Sequence, residues 1–312
     1  MDVGGSKIMV GRVTTAGEVI DSQRCPMDSA DRASTLHSIE TALASFMTRC
    51  PAPPPIAIGI GLVGQTDPAS GTWVQSINLP IRAPVPLAAR LREQYGVPVC
   101  LDNDVHATTL AELRWGSGRD LNDFIYLNIG TGLAAGLVCN RQLVRGAVNY
   151  AGEMGHMIVE PGGELCSCGQ RGCLEPIASG AGILDQVRAG LPEFPASILA
   201  GPSQAGDLTA SLVFQAAQQG DPLASRIARR AVHALGSALT GLVNLLNPQA
   251  IVYGGGVVSD DWLMAQVAKT VYAQALPAAR RSLNGIWAST LKTDQVGLLG
   301  AAGLAWQAIE NG

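Results

Sequence analysis

The segment HMIVEPGGELCSCGQRGCLE (156–175) sets a histidine and three cysteines at the spacing His156-x9-Cys166-x-Cys168-x4-Cys173. One imidazole and three thiolates make a full tetrahedral ligand set for Zn²⁺. Pro161, Gly162, Gly163, Gly169 and Gly172 supply the turns that let close ligands converge. Four protein ligands leave no open position for water, so such an ion would be structural and would fold a loop unable to hold its own shape. The competing reading is three unliganded thiols on a loop, open to oxidation. Glu153, His156 and Glu175 bracket the cluster.

A second group is Asp102-Asn103-Asp104, which ends an apolar run and begins a helical one. One Asn or Asp suffices for a helix cap, and here there are three polar residues. A carboxylate at the C-terminal end of a strand, facing a crevice, is well placed as a general base. His106, two residues on, reads as structural, because a lone histidine is a weak signal.

Glycine turns form the third group. Asp2-Val3-Gly4-Gly5-Ser6-Lys7 and Gly130-Thr131-Gly132 each join two extended runs, and Gly254-Gly255-Gly256 follows a buried one. Backbone N–H groups on such turns approach phosphate oxygens closely. Asp2 is a candidate partner for Mg²⁺. None of the three matches the lysine-bearing P-loop. At equivalent points of a duplicated chain they point to a nucleotide held between two lobes.

The elements that must carry these groups follow from periodicity. Residues 6–13 and 18–24 read as paired strands, and 31–48 as a helix with Leu36, Ile39, Leu43 and Met47 on one face. Strands are expected at 55–63 and 97–104, with a helix between them closed by Gly96, and a further helix ending near Gly116. The pattern then restarts with strand, glycine turn and strand over 124–138. Helices near 222–246 and 259–275, a strand at 250–256 and a last helix near 297–310 complete it. Strands alternating with helices, in two halves that each open on a glycine hairpin, predict a duplicated α/β fold. The boundary is expected near residue 118: an N-terminal lobe of 1–118 to which the last helix, 298–312, returns, and a C-terminal lobe of 119–297 carrying the cysteine loop.

The 312 residues are 47% apolar with a net charge of −4. That allows a large core and argues against nucleic acid as a partner. No stretch approaches 18 uninterrupted apolar residues, so no membrane span is expected. The start lacks a signal-peptide core. Cys25, Cys50, Cys100 and Cys139 are scattered and read as buried thiols, not a disulfide framework, which predicts a cytoplasmic protein.

Together these motifs resemble the ROK family of sugar kinases and sugar-responsive repressors, within the actin-like ATPase superfamily. DVGGSKI resembles its first phosphate motif and IGTGLAAGLV its second. GIGLVGQTD and INLP resemble sugar-side loops, and DNDVHATTLAE the catalytic segment. AGEMGHM with CSCGQRGCLE resembles the family signature and zinc loop, and NLLNPQAIVYGGGV with GLLGAAGLA the adenosine-side segments. The resemblance implies a duplicated ribonuclease H-like fold, two lobes with a cleft, Mg-ATP, a structural zinc and a homodimer. It casts Asp104 as the base that deprotonates a sugar hydroxyl, usually the 6-hydroxyl. Asn103, Glu153, His156 and Glu175 would bond other hydroxyls, with Gly64 and Asn78 assisting. His156 would use one ring nitrogen for zinc and the other for sugar.

Some residues depart from the family pattern. Only Met1 precedes Asp2, so a shortened first strand is expected. Ala134 and Ala135 replace glycines of the second phosphate motif and are expected to pack in the strand. Val105-His106 stands where Ala-Asn is usual, and Ile81-Arg82 follows Pro80 in place of a tryptophan. The leading expectation is an ATP-dependent hexose kinase, with glucose the first guess. The alternatives are an N-acetylmannosamine or N-acetylglucosamine kinase and a non-catalytic sugar-binding or sugar-sensing protein of the same fold.

Overall fold

A computed structural model describes residues 1–50, 53–258 and 261–311, except the side chain at 311. The chain divides into two compact units. The first holds Met1–Asp120, Arg141–Ala151 and Thr290–Gly312; the second holds Leu121–Asn140 and Gly152–Ser289. The expected limits of 1–118 and 119–297 therefore shift in two places. Residues 141–151 group with the first unit because Arg145 and Asn149 bond Asp102. The return to that unit begins at residue 290, ahead of the last helix.

In the first unit the sheet runs Val19–Pro26, Lys7–Val13, Asp2–Val3, Ile58–Leu62, Val99–Asn103. The first three strands pair antiparallel and the last three parallel. The central strand is two residues long, with Asp2 opposite Met9 on one side and Gly61 on the other. Beside it Val10, Ile58, Phe46, Leu298 and Trp306 line an apolar cavity of about 330 Å³.

The helix Arg32–Arg49 starts at Asp31, whose carboxylate accepts the Ser34 N–H, and it buries Leu36, Ile39, Leu43 and Phe46. The last helix, Val296–Asn311, packs on Ile58–Leu62 and on the helix Asp104–Trp115. Gly59 is required there, because a Cβ would overlap the Ala301 carbonyl. These contacts pack the last helix against the helix that Asp104 begins.

The second unit repeats the plan. The hairpin Phe124–Ile129 and Leu133–Cys139 is followed by parallel strands Ala250–Gly254 and Gly285–Ala288. The long helix Pro222–Leu246, capped by Asp221, buries an Ala- and Leu-rich face against neighbouring helices. Burial of this apolar surface is the main stabilising term. The helix expected over 259–275 is Trp262–Gln274, and positions 259 and 260 lie outside the described residues, as does 312.

Periodicity did not signal the short helices between 175 and 218 or the strand Gly285–Ala288. Cys25, Cys50, Cys100 and Cys139 are half-buried, not buried. Among the described residues no helix is long and apolar enough to cross a membrane.

Candidate active site and metal centre

Val99–Asn103 ends where Asn103 caps the next helix. Asn103 Oδ1 accepts the backbone N–H groups of Val105 (2.9 Å) and His106 (3.2 Å). Asn103 Nδ2 donates to the Gly64 carbonyl at 3.1 Å. Gly64 sits at φ +101, and a Cβ there would run into the Gln75 carbonyl. Asp104 is the first helical residue, and its Oδ1 accepts the Val105 N–H at 3.0 Å. The helix dipole favours a carboxylate at that position. Asn78 is exposed in the turn after Gln75.

Asp102 has a different task from its neighbours. It is fully buried. Its Oδ1 accepts from Asn103 N–H (2.7 Å), Asn149 Nδ2 (2.8 Å) and Thr66 Oγ1 (3.3 Å) and lies 3.3 Å from His106 Nδ1. Its Oδ2 accepts from the Arg145 guanidinium, Nη2 at 2.8 Å and Nε at 3.2 Å. Burial alone would raise this carboxyl, but the His106 bond and the Arg145 charge outweigh it and hold it below the usual carboxylate range.

In the first glycine turn, Gly4 N–H donates to the Lys7 carbonyl at 3.0 Å, and Gly5, Ser6 and Lys7 are exposed. Burial pushes the Asp2 carboxyl up; a divalent cation beside it would favour the ionised form.

The matching turn of the second unit is braced. Gly130 N–H donates to Gly132 O (3.0 Å), while the Gly130 and Thr131 carbonyls accept from Gly180 and Ala181. Glu175 Oε2 accepts the Leu133 N–H at 3.1 Å, which ties this carboxylate to the glycine turn. Ala135 is buried in the core of the following strand, as its methyl suggests, and Ala134 is half-buried. Gly255 stands at φ +102 where the end of Ala250–Gly254 passes the Ile129 carbonyl.

The four cluster residues do converge. A ring nitrogen of His156 and the sulfurs of Cys166, Cys168 and Cys173 all lie within 4.8 Å of one another. Cys166 Sγ is 3.6 Å from His156 Nδ1, and Cys168 Sγ is 3.7 Å from Cys173 Sγ. Backbone pairing of Val159 and Leu174 with residues 172 and 157 closes the loop base. Arg230, on the long helix, clamps the loop through Glu160 and Glu164.

Burial pushes the Cys173 thiol up to about 12, whereas the Gln170 backbone lowers Cys168. A bound cation is what would ionise all three. The other ring nitrogen of His156, Nε2, lies 3.9 Å from Glu153 Oε2. Glu153 precedes the short 3₁₀ turn Met154–His156.

Arg145, Asn149 and Arg230 were not foreseen. Each acts through a partner far away in sequence, so spacing gives no signal. Asn149 is the exception in part: asparagine in a glycine-rich loop signals left-handed backbone, and its φ is +56.

A family model described as ROK family matches residues 1–308. The chain is 35% identical to a glucokinase of Halalkalibacterium halodurans over 283 residues, covering 89% of this chain and 86% of that one. Its structure resembles a ROK family glucokinase from Streptomyces griseus in complex with glucose and AMPPNP, with a TM-score of 0.81, 30% identity and 98% of each chain covered. It also resembles a ROK family transcriptional regulator, a homolog of the E. coli MLC protein. There the TM-score is 0.83 at 26% identity, covering all of this chain and 80% of that one.

Proposed function

The chain belongs to the ROK family, with the α/β fold of its actin-like sugar kinases, and on that premise we propose that it is an ATP-dependent hexose kinase acting on glucose at the 6-hydroxyl. The observation that carries this reading is the division of labour at 102–104. Asp102 is committed to Arg145 and His106, and Asn103 to the helix cap. Asp104 is the base for the sugar hydroxyl.

Phosphoryl transfer needs positioning and charge neutralisation more than covalent help from the protein. Backbone N–H groups of the turns at Gly4-Gly5-Ser6-Lys7, Gly130-Thr131-Gly132 and Gly254-Gly255-Gly256 contribute to holding the nucleotide. Asp2 would hold Mg²⁺, which shields phosphate charge when bound with ATP. Asn103, Gly64 and Asn78 form the hydroxyl-binding set of the first unit. Glu153, His156 and Glu175 form that of the second, with Glu175 also bracing the glycine turn.

His156, Cys166, Cys168 and Cys173 hold a structural zinc in this reading. A tetrahedral site with Zn–S of about 2.3 Å and Zn–N of about 2.05 Å has S–S edges of about 3.8 Å and N–S edges of about 3.6 Å. The separations of 3.7 and 3.6 Å fit those edges. Ligation through Nδ1 leaves Nε2 to carry the proton and sets the ring beside Glu153. The protein is further proposed to be a cytoplasmic homodimer; light scattering would test the dimer and cell fractionation the location.

The deciding experiment incubates the purified chain with ATP, Mg²⁺ and a panel of hexoses and N-acetylhexosamines and follows ADP. Glucose is expected to give the highest kcat/KM, and Asp104→Asn to lower kcat by about 10²–10⁴-fold. Wild-type turnover in Asp104→Asn, or no ADP with any sugar, would overturn the reading.

A further inference from the structure

His106 is almost entirely buried, on the helix that Asp104 begins, and both of its ring nitrogens have a partner. Nδ1 lies 3.3 Å from Asp102 Oδ1 and Nε2 lies 3.0 Å from the Ala151 carbonyl. Both partners are acceptors, so the bridge is complete when each ring nitrogen carries a hydrogen, with the Asp102 carboxylate opposite. The first partner is two residues before Asp104, and the second is two residues before Glu153 in the chain. Asp102 Oδ1 also takes the Asn103 N–H. The imidazole and the backbone leading into Asp104 therefore share one oxygen atom.

The segment 145–151 is pinned to this point three times. Arg145 grips Asp102 Oδ2, Asn149 Nδ2 reaches Asp102 Oδ1 and the Thr66 hydroxyl, and Ala151 meets the imidazole. Helix formation does not require this network, because Asn103 already caps the helix and Ala107, Leu110 and Ala111 pack it. Buried polar networks add little net stability compared with apolar packing, but when satisfied they fix geometry. Transfer rates are sensitive to displacements of about 1 Å at the reacting groups.

We propose that His106 is a positioning residue for phosphoryl transfer: by bridging Asp102 and Ala151 it fixes the backbone of Asn103-Asp104 against the segment that runs into Glu153. This rests on the reading of Asp104 as the base.

Two substitutions separate the bridge into halves. Asparagine places an amide nitrogen near the position of Nδ1, so His106→Asn keeps the Asp102 bond and loses Ala151. Glutamine reaches the position of Nε2, so His106→Gln keeps Ala151 and loses Asp102. Each is expected to lower kcat at least about tenfold, with KM for ATP within twofold, in assays run well below the melting temperature, which the loss of one buried hydrogen bond should lower. Rates that fall only in step with the folded fraction would mean a purely structural histidine and overturn the proposal.

Wild-type turnover in the same assay reports on the kinase reading separately. Amide hydrogen exchange of the full chain gives a readout that needs no turnover. Protection across 145–151 is expected to drop in His106→Asn, and protection across 100–104 in His106→Gln. Wild-type protection in both variants would also overturn the proposal.

Discussion

The Arg145 guanidinium meets the buried Asp102 carboxylate side-on, with Nη2 at 2.8 Å and Nε at 3.2 Å from the same oxygen. A buried pair of this kind adds little to net stability, yet removing one partner strands the other charge. Arg145→Met is therefore expected to cost about 3–5 kcal/mol, measured as the shift in urea midpoint at constant m. Arg145→Met with Asp102→Asn should recover part of the loss, because no buried charge remains.

The same carboxylate gives the fold an acid limit. Its folded pKa lies below the ordinary value of 3.8. Below 3.8 the unfolded chain therefore binds more protons than the folded chain, and stability falls with pH. The contribution is complete above the unfolded value and is lost as pH drops through the folded one. Asp102→Asn should show a shallower loss of stability than wild type below pH 3.8 in a series of denaturant titrations.

Removing the metal should act locally. Elemental analysis is expected to find about one zinc per chain. A strong chelator should then lower the melting temperature and expose amides across 157–174, where pairing closes the loop base. Protons compete with the cation for the thiolates and the imidazole, so apparent zinc affinity should fall as pH falls. Cys173→Ser should abolish binding, since the set has no spare ligand among its four.

Much of this was legible in the sequence because it is local. The cysteine spacing announced the cluster, and the glycine hairpins announced the duplication. Asn103 could be read as a cap and Gly96 as a helix stop, which it is at φ +67. Long-range polar contacts could not be read. Asp102 appears in sequence as one of three equivalent polar residues, and only Arg145 and Asn149, more than forty positions away, make it the buried centre. For the same reason His106 reads as a lone histidine in sequence, and nothing local in 141–151 signals that it groups with the first unit.

Two glycines at positive φ should separate the substrates kinetically. Gly64→Ala forces a Cβ against the Gln75 carbonyl and moves the oxygen that holds Asn103 Nδ2. It should raise KM for sugar more than KM for ATP. Gly255→Ala forces a Cβ against Ile129 and should do the reverse. Each should also lose about 1–3 kcal/mol of stability from strained backbone. Parallel rises in both KM values for either variant would contradict the assignment of these turns.

The Met1 amine supplies a pH test of the short central strand. A chain produced with Met1 at its terminus buries that amine, which donates to the Gly59 carbonyl at 2.8 Å. Burial lowers its pKa from 8.0 to about 5. Between those values the unfolded chain holds the proton and the folded chain has released it. The unfolded state thus binds more protons, and stability rises with pH from 5 to 8. A shift of that size corresponds to about 4 kcal/mol at most across the window. Acetylating Met1 turns the amine into an amide that still donates to Gly59 and carries no titrating group, and the adjacent apolar cavity has room for the acetyl methyl. The acetylated chain should be more stable at pH 6 and show a flatter profile from pH 5 to 8 in urea titrations. An identical slope in the two chains would mean that the amine stays solvated and that this strand end is not held as described.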